Sequence, residues 1–276
     1  MTPVLITDHP APWPLRDLDT AALRAAGHQP VPFSQFIVKV HSRCNLSCSY
    51  CYVYEMADQS WRGLPRRMSQ AVTGATVERI AEHAAKHNLT SVEIVLHGGE
   101  PLLAGGEWLA SLVGSLRAQV PARVNVAVQT NGTLLERPML EALKSAGVRV
   151  GVSLDGDAEA TGRHRRYASG RNSFGAVADG LYLLGSPEFR DCYSGILCTV
   201  DVSNDPVATY EALLKFARQR LTCCCRMRTG AVPRRAPATR TGSSASSNAG
   251  IPRRGRKRGF ACSASSSSSC SASPAR

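Results

Sequence analysis

Two hydrophobic rhythms alternate through the middle of the chain. Short runs rich in Val, Ile and Leu are followed by stretches whose apolar residues recur three or four positions apart. FIVKV (36–40) predicts a buried strand, and Val72, Val77, Ile80 and Ala84 then share one helical face. VEIVL (92–96) predicts a second strand, followed by Leu109, Leu112, Val113, Leu116 and Val120 at helical spacing. VNVAV (124–128) is the third, and its helix is expected to end at Gly147, a residue suited to a left-handed cap. VRVGVSL (148–154) precedes Phe174, Val177, Leu181 and Leu184. GILCTV (195–200) precedes a helix that Asp205 caps and Pro206 opens, extending through Phe216. Five strand–helix alternations predict a parallel α/β sheet or barrel with right-handed crossovers.

Outside that core the pattern changes twice. Residues 1–33 are Pro-rich and weakly patterned, which predicts an arm packed over the domain. The core is expected over 34–217, and 218–276 is Ser-, Arg- and Pro-rich with few large apolar residues. Such a tail is expected to be disordered, because it cannot bury enough surface to offset its chain entropy. The tail also explains the net charge of +12. It holds twelve Lys and Arg from Gln219 onward and no acid, so the 21 remaining basic residues match the 21 acidic ones. The charge therefore belongs to one segment, not to a face of the fold. One allowed set of codons for Leu221–Ala231, read in a shifted frame, spells DLLLPHANWG; the same offset over Arg240–Ile251 can give DWLIGVFERWY. The first resembles a sixth strand and the second an amphipathic helix, which motivates the hypothesis of a frameshift near residue 218. As printed, the chain is expected to lack its last barrel strand.

No apolar run is long enough to span a bilayer, and the N-terminus reads as no signal peptide, so the expected location is cytoplasmic, with reduced cysteines. No membrane partner is expected.

The polar motifs all fall just past strand ends. Cys44, Cys48 and Cys51 follow the first strand, HGGEP (97–101) the second, QTNG (129–132) the third and SLDG (153–156) the fourth. In parallel α/β folds those ends converge on one mouth, where active sites form. Three thiols at C-x3-C-x2-C spacing lack a fourth partner. A structural zinc would need one, with His41 the nearest candidate, whereas a [4Fe–4S] cluster held by three cysteines leaves one iron open to a small molecule.

CNLSCSYCYVYE, LHGGEPLL, VQTNGTLL, VSLDG and RHRRY together resemble the radical S-adenosylmethionine (SAM) superfamily. Over Phe36–Asp201 the resemblance is to its peptide- and protein-modifying members with a SPASM extension, including anaerobic sulfatase maturases. The wording is closest to the actinobacterial Fxs type, which cross-links side chains in short ribosomal peptides. The resemblance implies a partial (β/α)6 TIM-like barrel with a [4Fe–4S] cluster on Cys44, Cys48 and Cys51. It also implies reductive cleavage of SAM to a 5′-deoxyadenosyl radical that takes a hydrogen atom from a ribosomal peptide or protein side chain. A reductant such as flavodoxin or ferredoxin would supply the electron. For the SAM site it implies Gly98 and Gly99 beside the methionine amine, the Glu100 carboxylate near that ammonium, and Asn131 on the ribose or methionine part. Ser153 and Arg165 would hold the carboxylate, with Leu197 packed on adenine. No protein side chain is assigned a catalytic role. The family extension carries cysteines for auxiliary clusters. Cys223–Cys225, Cys262 and Cys270 do not show that spacing, so a truncated, inactive relative is one expectation.

The rival reading is a zinc-stapled protein that uses RRGRKR (253–258) on nucleic acid. Iron and sulfide with a brown colour would favour the enzyme; one zinc and salt-sensitive DNA binding would favour the rival. Asp155 reads equally as a turn residue or a functional one. Tyr50, Tyr52 and Tyr54 read as packing around the cysteine loop, and Cys192 and Cys198 as small buried hydrophobes. His83, His87 and His164 read as surface or helix residues.

Overall fold

The structure is a computed structural model that describes residues 18–216, 220–225 and 269–272. It divides into two compact units, one ending at Phe33 and the other beginning at Ser34. In the first, a short helix α1 (Thr20–Ala25) starts at Asp19, whose carboxylate accepts from the amides of Ala21 and Ala22. The exposed α1 buries no residue.

The second unit is the expected alternation. Strand β1 (Gln35–His41) leads to α2 (Gln70–Lys86), β2 (Ser91–Gly98) to α3 (Gly106–Gln119), and β3 (Arg123–Thr130) to α4 (Arg137–Ser145). Strand β4 (Val148–Ser153) is followed by two helices, α5 (Ala158–His164) and α6 (Phe174–Leu184), and β5 (Tyr193–Val200) by α7 (Pro206–Leu214). The apolar residues that set the sequence rhythm now form the layer between sheet and helices. Leu96, Val126, Val150, Leu109, Leu143 and Leu184 are all at most 2% exposed. Val72, expected on the buried face of α2, is 53% exposed; burial on that helix begins a turn later at Val77. Helix α7 starts as expected, with Asp205 accepting from the Ala208 amide ahead of Pro206, but it ends at Leu214, short of Phe216. Gly147 takes the left-handed conformation (φ 59°) directly after α4 and its cap.

The expectation of a missing sixth strand is corrected, and two short stretches of the segment expected to be disordered are strands. Leu221–Cys225 forms β6, parallel to β5, and Ser269–Ala272 forms β7, antiparallel to β6. The edge of β5 presents unpaired backbone groups that a neighbouring strand satisfies. LTCCC can serve because Leu221 and Cys223 are apolar and alternate, leaving them 3% and 5% exposed in the core. The remainder of the tail, including RRGRKR, Cys262 and the shifted-frame stretch at 240–251, lies outside the described residues. Strand order is β1 to β7 in sequence, and among the described residues no pairing joins β1 to the far edge. The sheet is therefore open, a six-stranded parallel arc with one antiparallel addition. No helix among the described residues is long and apolar enough to cross a membrane.

Candidate active site

The cysteine loop leaves β1 at His41 and is held from several sides. The Arg43 guanidinium donates to the carbonyls of Ser42, Trp61, Arg62 and Leu64 at 2.7–3.2 Å, closing the stretch after the loop over its start. The Cys51 amide donates to the Cys48 carbonyl and that of Glu55 to Cys51, so the last cysteine sits in a tight turn. The far side of the loop lies along the segment after α5: Ser47 N–H donates to Arg166 O at 2.7 Å and Ser49 N–H to His164 O at 3.2 Å.

The two glycines of HGGEP have a reason in the protein itself. The amides of Gly99 and Glu100 donate to the carbonyls of His41 and Arg43, laying the end of β2 against the cysteine loop. A side-chain carbon at Gly98 (φ 153°) would strike the His41 carbonyl, and one at Gly99 the Arg43 carbonyl and the Tyr54 hydroxyl. Sequence reasoning had placed the need for glycine at a ligand; close approach of two backbones already demands it.

Cys44, Cys48 and Cys51 line one cavity of about 480 Å3, within the usual ~300–1,000 Å3 of small-molecule sites. Gly98, Gly99, Asn131, Ser153, Arg165 and Leu197 line the same cavity, drawn from the ends of β2, β3, β4, β5 and the turn after α5. Asn131, itself buried, donates to Asn45 Oδ1 at 2.8 Å and to Cys44 Sγ at 3.7 Å, bonding the β3 loop to the cysteine loop. Ser153 accepts from Gln129 at 2.9 Å. Burial raises the Cys44 thiol pKa and pushes Cys48 up to about 11, so both favour the neutral thiol until a metal displaces the proton. Burial likewise lowers the pKa of His97, another lining residue.

Glu100 departs from expectation. Its side chain is fully buried and turned away from the cavity that the other predicted residues line. Oε1 accepts from the Leu102 amide (3.0 Å) and the Thr130 hydroxyl (2.7 Å), and Oε2 from the Asn131 amide (2.7 Å). It braces the end of β2 against the end of β3, and burial holds its carboxyl above the ordinary range.

The sequence reading underrated one network. The buried Arg165 donates to the Tyr50 hydroxyl at 3.0 Å; Tyr50 in turn donates to Asp155, whose other oxygen accepts from the Thr199 amide at 3.0 Å. This joins the cysteine loop to the ends of β4 and β5. The signal was that Asp155 is the acid of SLDG itself and that Tyr50 lies between two cysteines, but nothing in the chain pairs residues 105 positions apart. Arg165 keeps its Nε buried and without a protein partner on this cavity wall.

Residues 38–213 match the family described as the Radical SAM superfamily. The chain belongs to that superfamily. Its cofactors are those of the radical SAM enzymes, a [4Fe–4S] cluster and SAM. Among curated relatives it is 30% identical over 173 residues to a cysteine-type anaerobic sulfatase-maturating enzyme of Clostridium perfringens, covering 61% of this chain and 44% of the relative. It is 30% identical over 183 residues to the serine-type enzyme of Klebsiella aerogenes, covering 60% and 42%. The chain thus spans less than half the length of these relatives. Among solved structures, an anaerobic sulfatase-maturating enzyme with bound AdoMet and the Cp18Cys peptide superposes with TM-score 0.60 at 25% identity, covering 71% of this chain and 51% of that one.

The radical SAM residues present fit both groups. Three thiols open onto one cavity, the donor type that holds iron–sulfur clusters. The unpartnered, buried Nε of Arg165 offers a charged donor suited to a carboxylate.

Proposed function

We propose that this chain is a radical SAM enzyme of the peptide- and protein-modifying type, with Cys44, Cys48 and Cys51 holding the cluster. The carrying observation is that three thiols and a buried arginine with an unpaired Nε share one cavity at the carboxyl ends of parallel strands. When bound, the cluster and SAM supply a 5′-deoxyadenosyl radical that takes a hydrogen atom from the substrate. The chain's own residues bind and orient. Arg165 and Ser153 receive the SAM carboxylate, Asn131 contacts the ribose or methionine part, and Leu197 packs on adenine. Backbone at Gly98 and Gly99 meets the methionine amine, whereas Glu100 holds those strand ends in place. The names of the relatives, and the aligned structure with bound AdoMet and a peptide, support a peptide or protein substrate. The electron comes from a flavodoxin- or ferredoxin-type reductant.

Anaerobic reconstitution with iron and sulfide tests the reading. The parent should become brown and cleave SAM reductively, and Cys44→Ala, Cys48→Ala and Cys51→Ala should each lose both properties. Full SAM cleavage by any of the three would refute it. Whether the chain carries a complete substrate site depends on the sequence beyond residue 218. Resequencing the gene across codons 215–255 tests whether the frameshift hypothesised near residue 218 lies in the sequencing: an added or missing base would restore the shifted-frame sixth strand and extension, and the printed frame would make this chain a truncated relative.

A further inference from the structure

A chain of hydrogen-bonded side chains reaches the cysteine loop from outside the cavity lining. Ser49, between Cys48 and Cys51, bonds through its hydroxyl to His164 Nδ1 at 2.7 Å, and His164 Nε2 bonds to Asp201 Oδ2 at 2.9 Å. Ser49 lies on the loop after β1, His164 closes α5, and Asp201 directly follows β5. Three elements that are distant in sequence therefore meet through one imidazole.

The chemistry gives the chain a direction. An ionised carboxylate only accepts, so Nε2 carries the hydrogen toward Asp201. In the neutral ring Nδ1 is then an acceptor, and the Ser49 hydroxyl must donate to it. Asp201 is fixed in turn, because its Oδ1 accepts from the Ser203 amide at 2.9 Å. The His164 and Asp201 side chains are only 15% and 9% exposed, whereas Ser49 is exposed. The rigid end is thus at β5 and the constrained end is the loop. The His164 ring also lies 5.5 Å from that of Tyr50, and its carbonyl accepts the Ser49 amide.

We propose that His164 is a positioning residue, transmitting the position of Asp201 at the end of β5 to the loop that carries the cluster ligands. It does not line the cavity onto which the three thiols open. By holding Ser49 it restricts how far the loop can swing, and so slows departure of the iron. The inference rests on the cluster assignment to Cys44, Cys48 and Cys51.

A double-mutant cycle tests it. Ser49→Ala, Asp201→Asn and the double variant of the full chain are reconstituted anaerobically, and iron release to a ferrous chelator is timed. Melting of each iron-free form is recorded alongside. Each single variant should release iron roughly threefold or more faster than the parent, and the double variant no faster than the quicker single, because either change cuts the same connection. His164→Ala should match the double variant, with iron-free melting temperatures close to the parent's throughout. Rates that multiply in the double variant would overturn the proposal, as would lowered iron-free melting with unchanged release. A parent that takes up no iron sinks the cluster assignment and this inference together. A parent that holds iron, with variants releasing it at the parent's rate, sinks this inference alone.

Discussion

Replacing Glu100 by glutamine separates two roles that its motif leaves entangled. The carboxylate is fully buried and accepts three hydrogen bonds, from Leu102 N–H, Thr130 O–H and Asn131 N–H. Glutamine keeps one oxygen and turns an NH2 toward at least one backbone N–H. A buried donor left unpaired costs about 1–3 kcal/mol. Removing a buried charge returns part of that, since burial is what raises this carboxyl's pKa. The net expectation is a loss of about 2 kcal/mol, or a fall of about 4–8 °C in melting temperature for a unit of this size. The pH dependence has a definite sign. A carboxyl whose folded pKa is raised lends stability that is full below the ordinary glutamate pKa of about 4.3. That stability is lost as pH rises through the folded-state value. The parent loses this increment and the glutamine variant has none to lose, so the gap between them should narrow with rising pH. Circular-dichroism melts across that range measure it, and SAM affinity measured by calorimetry should change less than tenfold. Unchanged melting together with abolished SAM binding would refute the reasoning and return Glu100 to the ligand.

Three further outcomes are expected. Gly99→Ala drives a methyl into the Arg43 carbonyl and the Tyr54 hydroxyl, and should cost about 1–3 kcal/mol in chemical denaturation and reduce iron retention; a neutral result would mean that the two backbones separate freely. Arg165→Lys keeps the charge but loses the fork of donors, and should weaken SAM binding about tenfold or more with iron content unchanged; equal affinity would remove Arg165 from the carboxylate site. Leu221→Ala should cost about 2–4 kcal/mol in a melt because that residue is 3% exposed in the core; no change would show that β6 does not dock.

The strand–helix alternation was legible in the sequence because a parallel sheet covered on one side imposes local periods, and period is a property of neighbouring residues. The cysteine spacing and the glycine pair were legible for the same reason, since a loop that presents three thiols and a close backbone approach both leave short-range marks. Local pattern could not show that the Glu100 carboxylate turns inward. That orientation depends on Thr130 and Asn131 arriving from another strand, and whether a carboxylate meets ligand or protein is decided by who surrounds it. The contacts of Tyr50 with Asp155 and of Ser49 with His164 likewise span 105 and 115 residues, and only the packed sheet brings these partners within 3 Å. The docking of LTCCC as β6 came from the same source: its composition argues against order, and the unpaired edge of β5 supplies the partner that the segment lacks on its own.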